Sequence, residues 1–456
     1  MRDPTDCAVP PELELIVLNH LLADKPALAS CSLVCSRWLP PTRKHLFREI
    51  TLKPTMRLNP TPFESFLRTL EIAEETNPEW AIGSCIEKLT IDGSVWKGRL
   101  TPSPMLTCSL SFLRRLLSKL PQLASLRAKL LLMPNDIVER PYADQAALNN
   151  FKLDKLVVVD CTAKGHDPHH LLALISMFSS IDSLSIINWG GYMQHPISEF
   201  SLSSLSPPLV RSLAIEWVSP GVAPAIYALF ANSPSVTAGH LAHIYLDASK
   251  NSELLEFAGF ARIAGAAFRQ VDLRANSELF SADHLLDDVS LVNCSALRSL
   301  MLCMEPTFDD HASFGDRHAR NTREVLSAYA LFFQLHRAAL PMLTTVRFEM
   351  KPIVWMLDAF VRVARDTFPE WPSKAITMVS AEEAEMNRAL WEFLEDALGS
   401  FPALERVEFV LYERGQEALT EEAKDHLRSA LEGRLPELWS RGVAHLVFET
   451  FVFRPR

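Results

Sequence analysis

The sequence predicts an α/β protein in which a short helical segment precedes a curved solenoid of repeated helix and strand units. Eleven short apolar motifs recur along the chain, and most of them follow a stretch with helical character. The steps between the motifs from residue 126 to residue 300 span only 27 to 31 residues. Repeats of this length are the sequence signature of solenoids. We therefore expect parallel strands on one face and helices on the other.

Each motif has three apolar residues separated by two positions and then by one, as in LASLRA and LRSLML. Because 48% of the chain is hydrophobic, roughly one frame in nine fits this pattern by chance. The regular spacing, rather than any single match, therefore indicates repeats. One further motif is expected near residues 375–379. The middle apolar residues of the eleven motifs are Leu89, Leu126, Leu156, Leu184, Leu213, Ile244, Val271, Leu300, Val346, Val407 and Leu446.

The chain begins with apolar helices. Pro10 and Pro11 suit the start of a helix, where a missing N–H group costs nothing, and Asp24 is a suitable N-cap for a second helix. Pro40 and Pro41 are expected to end the apolar patch that follows. A helix with two apolar sides must have both of them covered, and about 40 residues rarely supply a sufficient core. The two apolar stripes of the first helix consist of Leu13, Ile16, Val17 and Leu21, and of Leu15, Leu18 and Leu22.

These patterns divide the chain into four predicted segments. Residues 1–8 are predicted to be a flexible N-terminus, residues 9–50 a helical domain, residues 51–80 a linker that contains a helix, and residues 81–456 the solenoid. The linker helix is expected to begin at Thr61–Glu64, whose sequence TPFE has the spacing of a capping box.

Charge and composition narrow the expected partners. The formal net charge is -10 and no basic stripe is present, so we expect neither nucleic acid nor a membrane surface as a partner. The N-terminus lacks the features of a signal peptide and no apolar run approaches 18 residues. An intracellular location, cytoplasmic or nuclear, is therefore predicted. Eight scattered cysteines favour free buried thiols over a disulfide framework.

Residues Val9–Phe47 resemble an F-box. The agreement covers Pro10 and Glu12, the leucines of the first helix, the sequence SLVCSRW at Ser32–Trp38, and the pair Leu46 and Phe47. The departures are Val9, Glu14 at a position that is commonly apolar, and extra residues around 23–26. The remainder of the chain is similar to the leucine-rich-repeat-like solenoid that often follows an F-box in fungal proteins, although it lacks the asparagine ladder of regular repeats.

This resemblance implies a substrate-receptor subunit of a cullin-RING (SCF-type) ubiquitin ligase, which has no catalytic residues and no cofactor of its own. The helical domain would dock the adaptor subunit, and the solenoid would hold a target protein of unknown identity. The alternative is a leucine-rich-repeat-like interaction scaffold whose F-box does not dock. The expected adaptor-binding residues are Pro10, Leu13, Val17, Leu18, Leu21, Cys35 and Trp38. The expected target-binding residues on the strand side are Lys155, Glu216, His243, Tyr245, Asp272, Arg274, Arg347 and Glu349.

Catalytic chemistry has weaker support in the sequence. His166, His169 and His170 lie near Cys161, but their spacing matches no zinc site. A polar loop without metal is predicted there, and a metal enzyme or hydrolase that uses this loop is the remaining alternative. No nucleophile elbow, phosphate-binding loop or dinucleotide fingerprint occurs. The acidic run between Glu382 and Asp396 is expected to form the solvated face of a helix.

Overall fold

The structure, a computed structural model, contains two compact units. The first comprises Met1–Val210 with Val218–Ala225, and the second comprises Arg211–Trp217 with Ile226–Arg456. The structure describes residues 10–34, 37–54, 62–76, 81–94, 106–134, 151–163, 168–190, 205–219, 221–248, 250–276, 291–305, 326–350, 381–414 and 421–451. The expected flexible segment 1–8 and the expected motif at 375–379 lie outside these residues.

The first unit begins with helices and continues with strands and helices in alternation. Its helices are α1 (Pro11–His20), α2 (Lys25–Cys31), α3 (Leu39–Phe47), α4 (Pro62–Thr76), α5 (Leu110–Ser118) and α6 (His169–Ile175). Its strands are β1 (Glu49–Leu52), β2 (Lys88–Asp92), β3 (Leu106–Thr107), β4 (Ser125–Lys129), β5 (Leu131–Met133), β6 (Phe151–Val159), β7 (Thr162–Ala163) and β8 (Phe178–Ile187).

Five strands of the first unit pair in parallel, in the order β1-β2-β4-β6-β8, while β3, β5 and β7 form a separate three-stranded sheet. The register aligns the middle residues of the predicted motifs, since Leu89 pairs with Leu126, Leu126 with Leu156, and Leu156 with Leu184. All four leucines are buried. Because side chains alternate across a strand, this alignment places one continuous apolar row on the core face.

The second unit repeats the alternation of strand and helix. Its strands are β9 (Leu209–Glu216), which begins in the first unit, β10 (His243–Ala248), β11 (Gln270–Asn276), β12 (Ser299–Glu305), β13 (Thr345–Met350), β14 (Arg406–Arg414) and β15 (Ala444–Phe451). Its helices are α7 (Val222–Ala231), which also begins in the first unit, α8 (Pro234–Thr237), α9 (Asn251–Ala264), α10 (326–336), α11 (Ala381–Gly399), α12 (Glu421–Glu432) and α13 (Pro436–Ser440).

The strands of the second unit pair in parallel, in chain order from β9 to β15. As the motif predicts, a continuous row of register partners runs from β9 to β14. It consists of Leu213, Ile244, Val271, Leu300, Val346 and Val407. The last strand differs from the prediction, because Val407 pairs with Ala444, and Leu446 pairs with Phe409. Ala444, Leu446 and Phe448 alternate as apolar residues along β15, so the period-two pattern alone did not fix the register of this strand.

The same backbone contact recurs where the strands begin. The carbonyl oxygen just before one strand accepts hydrogen bonds from two successive N–H groups at the start of the next strand. In the first unit, the Glu87 carbonyl accepts from Ala124 and Ser125 at 2.8 and 2.9 Å. In the second unit, the Arg298 carbonyl accepts from Thr344 and Thr345, both at 2.9 Å. The carbonyls that make this contact are those of Arg48, Glu87, Ala124, Ala242, Arg269, Arg298 and Thr344.

A second recurring feature lies at the ends of four strands. Four residues that directly follow strands have left-handed backbone conformations, with φ between 50° and 53°. They are Leu130 after β4, Asp160 after β6, Asn188 after β8 and Trp217 after β9. The side chain of Asn188 donates to Oδ1 of Asp160 at 2.7 Å. This hydrogen bond joins the ends of the adjacent strands β6 and β8.

The predicted fold class is confirmed at the level of an α/β protein with parallel strands. Pro11 begins α1, Pro62 begins α4, and Oδ1 of Asp24 caps α2 by accepting from the Ala27 N–H at 2.9 Å. The expectation for Pro40 and Pro41 was wrong. They lie in the first turn of α3 and begin that helix rather than ending a segment, because a first-turn residue needs no N–H group.

The parallel strands also begin earlier than the motif predicted. Strand β1 at Glu49–Leu52 pairs with β2, so pairing starts at the border between the expected helical domain and the expected linker.

Within the described ranges, no helix combines the length and the apolar composition needed to cross a membrane.

Candidate functional site

The N-terminal helices expose an unusual amount of apolar surface. Leu13 is 51% exposed, Val17 is 46% exposed and Leu33, in the turn after α2, is 86% exposed. Monomeric proteins seldom expose contiguous apolar groups on this scale unless they bind another molecule there. We name this set the N-terminal apolar surface; its members are Leu13, Leu15, Ile16, Val17, Leu22, Leu33 and Val34.

The expected adaptor-binding residues that the structure describes divide into three groups by exposure. Pro10, Leu13 and Val17 are exposed, and Leu21 and Trp38 are half-buried. Leu18 has no exposed surface, so it is a core residue and cannot contact a partner in this conformation; its assignment to the docking set was wrong. Cys35 lies outside the described residues. The sequence reasoning omitted Leu15, Ile16, Leu22, Leu33 and Val34 from the docking set, because an apolar pattern cannot show which side of a helix is covered.

A buried carboxylate lies beneath this surface. Glu14 is on the inner side of α1, and Nε of Arg37 lies 3.3 Å from its Oε2 atom. Its other oxygen, Oε1, is buried without a hydrogen-bond partner, as is Nε1 of Trp38. A buried polar atom without a partner typically costs about 1–3 kcal/mol. The interior of the helical segment therefore holds two polar atoms at such a cost.

The expected target-binding residues lie mainly on one face of the second unit. Seven of the eight are in β9, β10, β11 and β13, at positions that alternate with the buried row. Lys155 lies apart from them on β6 of the first unit, where its side chain is exposed. We name the side of β9–β15 that carries these seven residues the strand face.

Arginines and glutamates form a network on the strand face. Arg274 donates to Oε2 of Glu349 at 2.7 Å, and Arg347 lies 3.4 Å from Oε1 of the same carboxylate. Arg347 also donates to Glu449 at 2.9 Å and lies 3.5 Å from Glu408. Glu349 is only 3% exposed. Because each of its oxygens faces a guanidinium group, the charge of this buried side chain is compensated.

A second chain of hydrogen bonds crosses β9, β10 and β11. Nε2 of His243 lies 2.8 Å from Oδ2 of Asp272, and Nδ1 lies 3.1 Å from Oγ of Ser212. Because a carboxylate can only accept, Nε2–H donates to Asp272, and the Ser212 hydroxyl donates to Nδ1 when the ring is neutral. These are the residue types of a hydrolase triad, but the two ring nitrogens are used in the reverse order.

Three residues of this region were not predicted from the sequence. Asp247 is the register partner of Arg274 and Glu216, and extending the strand motif by two residues would have found it. Glu449 lies on β15, two strands away from Arg347, and its carboxylate accepts a hydrogen bond from Arg347 at 2.9 Å. Trp217 follows the last residue of β9 and carries no signal in the motif.

The histidine cluster differs from the expected polar loop. His169 and His170 begin α6, and His170 is buried; His166 lies outside the described residues. Within the described parts of the chain, no three His, Cys, Asp or Glu side chains are arranged to hold a metal ion. Free buried thiols are present as expected at Cys108, Cys161 and Cys294, and burial raises the pKa of each to about 12.

Comparison with known proteins adds no family to this description. The chain matches no protein-family model, and no curated protein is significantly similar to it.

Proposed function

We propose that the protein is an F-box-like substrate receptor of a cullin-RING (SCF-type) ubiquitin ligase. The N-terminal apolar surface carries this proposal, because it lies in the segment whose sequence resembles an F-box. Leu13 and Val17 were expected to bind the adaptor and both are exposed. Burying a leucine or valine side chain stabilises a complex by roughly 1.5–3 kcal/mol. An adaptor that covers even part of this surface would therefore gain substantial binding free energy.

The proposal assigns the parallel strands to a curved leucine-rich-repeat-like solenoid. Its support is the repetition within each unit: strands pair in chain order, equivalent apolar residues are register partners, and the same double hydrogen bond recurs at seven carbonyls of the described residues. Such arrays present a long strand surface for binding. In the proposed function, the strand face holds the target protein.

The proposed mechanism is positional. A receptor that holds the adaptor at one end and the target at the other raises the effective concentration of the target beside a ubiquitin-loaded enzyme. Such a protein needs two binding surfaces, and it needs no catalytic residue, metal or cofactor of its own. It would act inside the cell, in the cytoplasm or the nucleus.

Co-purification with the ligase adaptor tests the proposal. Full-length protein is co-expressed with the adaptor subunit, and the adaptor recovered with it is quantified. We expect stoichiometric recovery, and we expect Leu13→Asp to reduce it about tenfold or more, since the substitution buries a charge at an apolar contact. Asn19→Asp, at an exposed position on the same helix, adds the same charge and should leave recovery unchanged.

Absence of adaptor recovery with the unaltered chain would contradict the proposal and leave the alternative, an interaction scaffold without ligase docking. One observation favours that alternative. Glu14 stands at a position that is commonly apolar in the F-box, and here it forms a buried pair with Arg37. If this pair distorts the docking helices, the repeats would still offer a binding surface while the adaptor would not bind.

A further inference from the structure

The outer side of α9 exposes an apolar stripe. Leu255 is 44% exposed and Ile263 is 59% exposed, while Phe257 on the inner side is buried. Gly259 lies midway between the two exposed residues. Because residues four positions apart lie above one another on a helix, Leu255, Gly259 and Ile263 share one side of α9. We name these three residues the α9 stripe; on an ordinary surface helix this side carries polar side chains.

The packing of the chain does not explain the glycine at the centre of the α9 stripe. A Cβ atom at Gly259 would meet no heavy atom within 4 Å beyond the backbone of its own helix. Glycine in the middle of a helix is less stable than alanine, because it loses more conformational freedom on folding. It is favoured where another backbone approaches closely. The α9 stripe therefore has a shallow centre that a helix from outside the chain can approach.

Two opposite charges flank this centre. Glu256 lies three positions before Gly259, and Arg262 lies three positions after it. Within the described part of the chain, neither the Glu256 carboxylate nor the Arg262 guanidinium group forms an ion pair. Burial, together with the Glu253 charge, raises the pKa of Glu256 to about 7, as expected for a carboxylate without a cation beside it. The outer side of α9 therefore presents one cation and one carboxylate to a partner.

We propose that α9 docks against α9 of a second copy of this chain, antiparallel and centred on Gly259, so that two chains form a two-fold symmetric dimer. In such a pair, each residue before Gly259 lies level with the residue equally far after Gly259 in the other copy. Arg262 then lies level with Glu256 of the partner subunit. Leu255 lies level with Ile263 of the partner subunit. The two glycines allow the helix axes to approach closely, since the side chains at the contact set this distance.

A second copy fits this surface better than a partner of one charge. An acidic segment would attract Arg262 but repel Glu256, and a basic segment would do the reverse. A second copy compensates both charges and covers both apolar residues. One helix from each chain buries less area than a standard interface of about 1,600 Å², so we expect a dissociation constant of about 10 µM. Below this concentration the chains separate, and Glu256 has only the neighbours of its own chain.

Sedimentation equilibrium of the full-length protein tests the inference. We expect a reversible monomer–dimer equilibrium between about 1 and 100 µM protein at physiological ionic strength. Gly259→Gln places a polar side chain in open space, so the variant should fold, and it should weaken the dimer about tenfold or more because the helices can no longer approach. Ser429→Gln adds the same side chain at an exposed position on α12 and should leave the equilibrium unchanged.

Charge exchange tests the antiparallel arrangement. Glu256→Lys and Arg262→Glu should each weaken the dimer about tenfold or more, since like charges then meet twice across the two-fold axis. An equal mixture of the two variants should dimerise about as tightly as the unaltered chain, because each cation of one variant then lies level with a carboxylate of the other. The unaltered chain has a formal net charge of -10, so both variants stay strongly negative and net charge does not favour their pairing.

The inference is overturned if the unaltered chain stays monomeric at about 100 µM, if Gly259→Gln dimerises like the unaltered chain, or if the mixed variants do not pair. Association that Leu13→Asp abolishes and Gly259→Gln leaves intact would place the contact on the N-terminal apolar surface and also overturn it. The experiment uses no adaptor, so it is independent of the proposed function. Adaptor recovery by a monomeric chain would preserve the ligase proposal alone, and a Gly259-dependent dimer without adaptor recovery would preserve this inference alone.

Discussion

The N-terminal helices and the strand face of the second unit differ in how completely the charge of a buried carboxylate is compensated. On α1, Glu14 has one nearby arginine at 3.3 Å and an oxygen without a hydrogen-bond partner, while several leucines of the same helix are exposed. On the strand face, Glu349 has an arginine at each carboxylate oxygen. The carboxylate charge of Glu349 is thus compensated at both of its oxygens. The helical segment leaves both apolar and polar groups incompletely covered.

This difference separates two kinds of surface. A network of paired charges fixes the positions of the side chains that a target would meet, so the strand face is organised before binding. The N-terminal apolar surface gains stability when another molecule covers it. The contrast supports an adaptor site that is completed by its partner and a target site that is formed in advance. Two experiments test this contrast, and a third measures a buried carboxyl group outside both surfaces.

Removal of Glu349 should have the largest effect. Glu349→Ala leaves Arg274 and Arg347 partly buried without their shared carboxylate, and breaking a buried pair from one side typically costs 3–5 kcal/mol. We expect the free energy of unfolding to fall by about 4 kcal/mol, measured by urea titration.

Glu392→Ala provides the control for Glu349→Ala. Glu392 pairs with Arg388 at 3.7 Å on the exposed side of α11, and its removal should change stability by less than about 0.5 kcal/mol. If both variants lose the same small amount, the strand-face network is no more stabilising than a surface ion pair, and the contrast with α1 fails.

Two leucines on α1 provide a matched pair for the second experiment. Leu18→Ala removes a fully buried side chain and should destabilise the helical segment by about 3 kcal/mol. Leu13→Ala removes an exposed side chain and should change its stability by less than about 0.5 kcal/mol. Amide hydrogen exchange of the α1–α3 backbone measures both effects locally. Equal protection losses would mean that Leu13 is covered in solution and that the N-terminal apolar surface is closed.

A carboxyl group outside the strand-face network should give the smallest effect. Burial, together with the smaller effect of the nearby Glu253 charge, raises the pKa of Glu256 on α9 to about 7. Because the folded-state pKa exceeds the unfolded value, the folded state binds this proton more tightly. Stability is therefore lost as the pH rises from about 4.5 to about 7.

Glu256→Gln should remove this loss. We expect the variant to be more stable than the unaltered chain by about 1 kcal/mol at about pH 8, after allowance for the partial exposure of the group. The two proteins should unfold together at about pH 4, where the carboxyl group is protonated in both states. Thermal unfolding at the two pH values measures the difference. An equal gain at both would show that glutamine acts through packing rather than through charge.

The repeated apolar motif predicted more of the structure than the acidic run on α11 did. The repeated motif predicted eleven of the described strands and the register alignment of ten of its eleven middle residues, because a period-two apolar pattern and a buried face specify each other; it missed β1, β3, β5 and β7. It did not predict the register of β15, where a shift of two residues keeps the same side chains on the core face. The acidic run on α11 was expected to be solvated, yet Glu395 is buried and accepts a hydrogen bond from the Leu438 N–H at 2.8 Å.

The amino-acid sequence by itself determined the α/β class, the spacing of the strands, the starts of α1, α2 and α4, and the strand-face positions. These depend on local backbone chemistry and on the alternation of side chains, which are properties of short segments. Only the tertiary structure decided that Leu18 is covered while Leu13 and Val17 are open, and which arginine meets which glutamate. Such choices depend on residues far apart in the chain, for example Arg347 and Glu449, and no local pattern records which of them will meet.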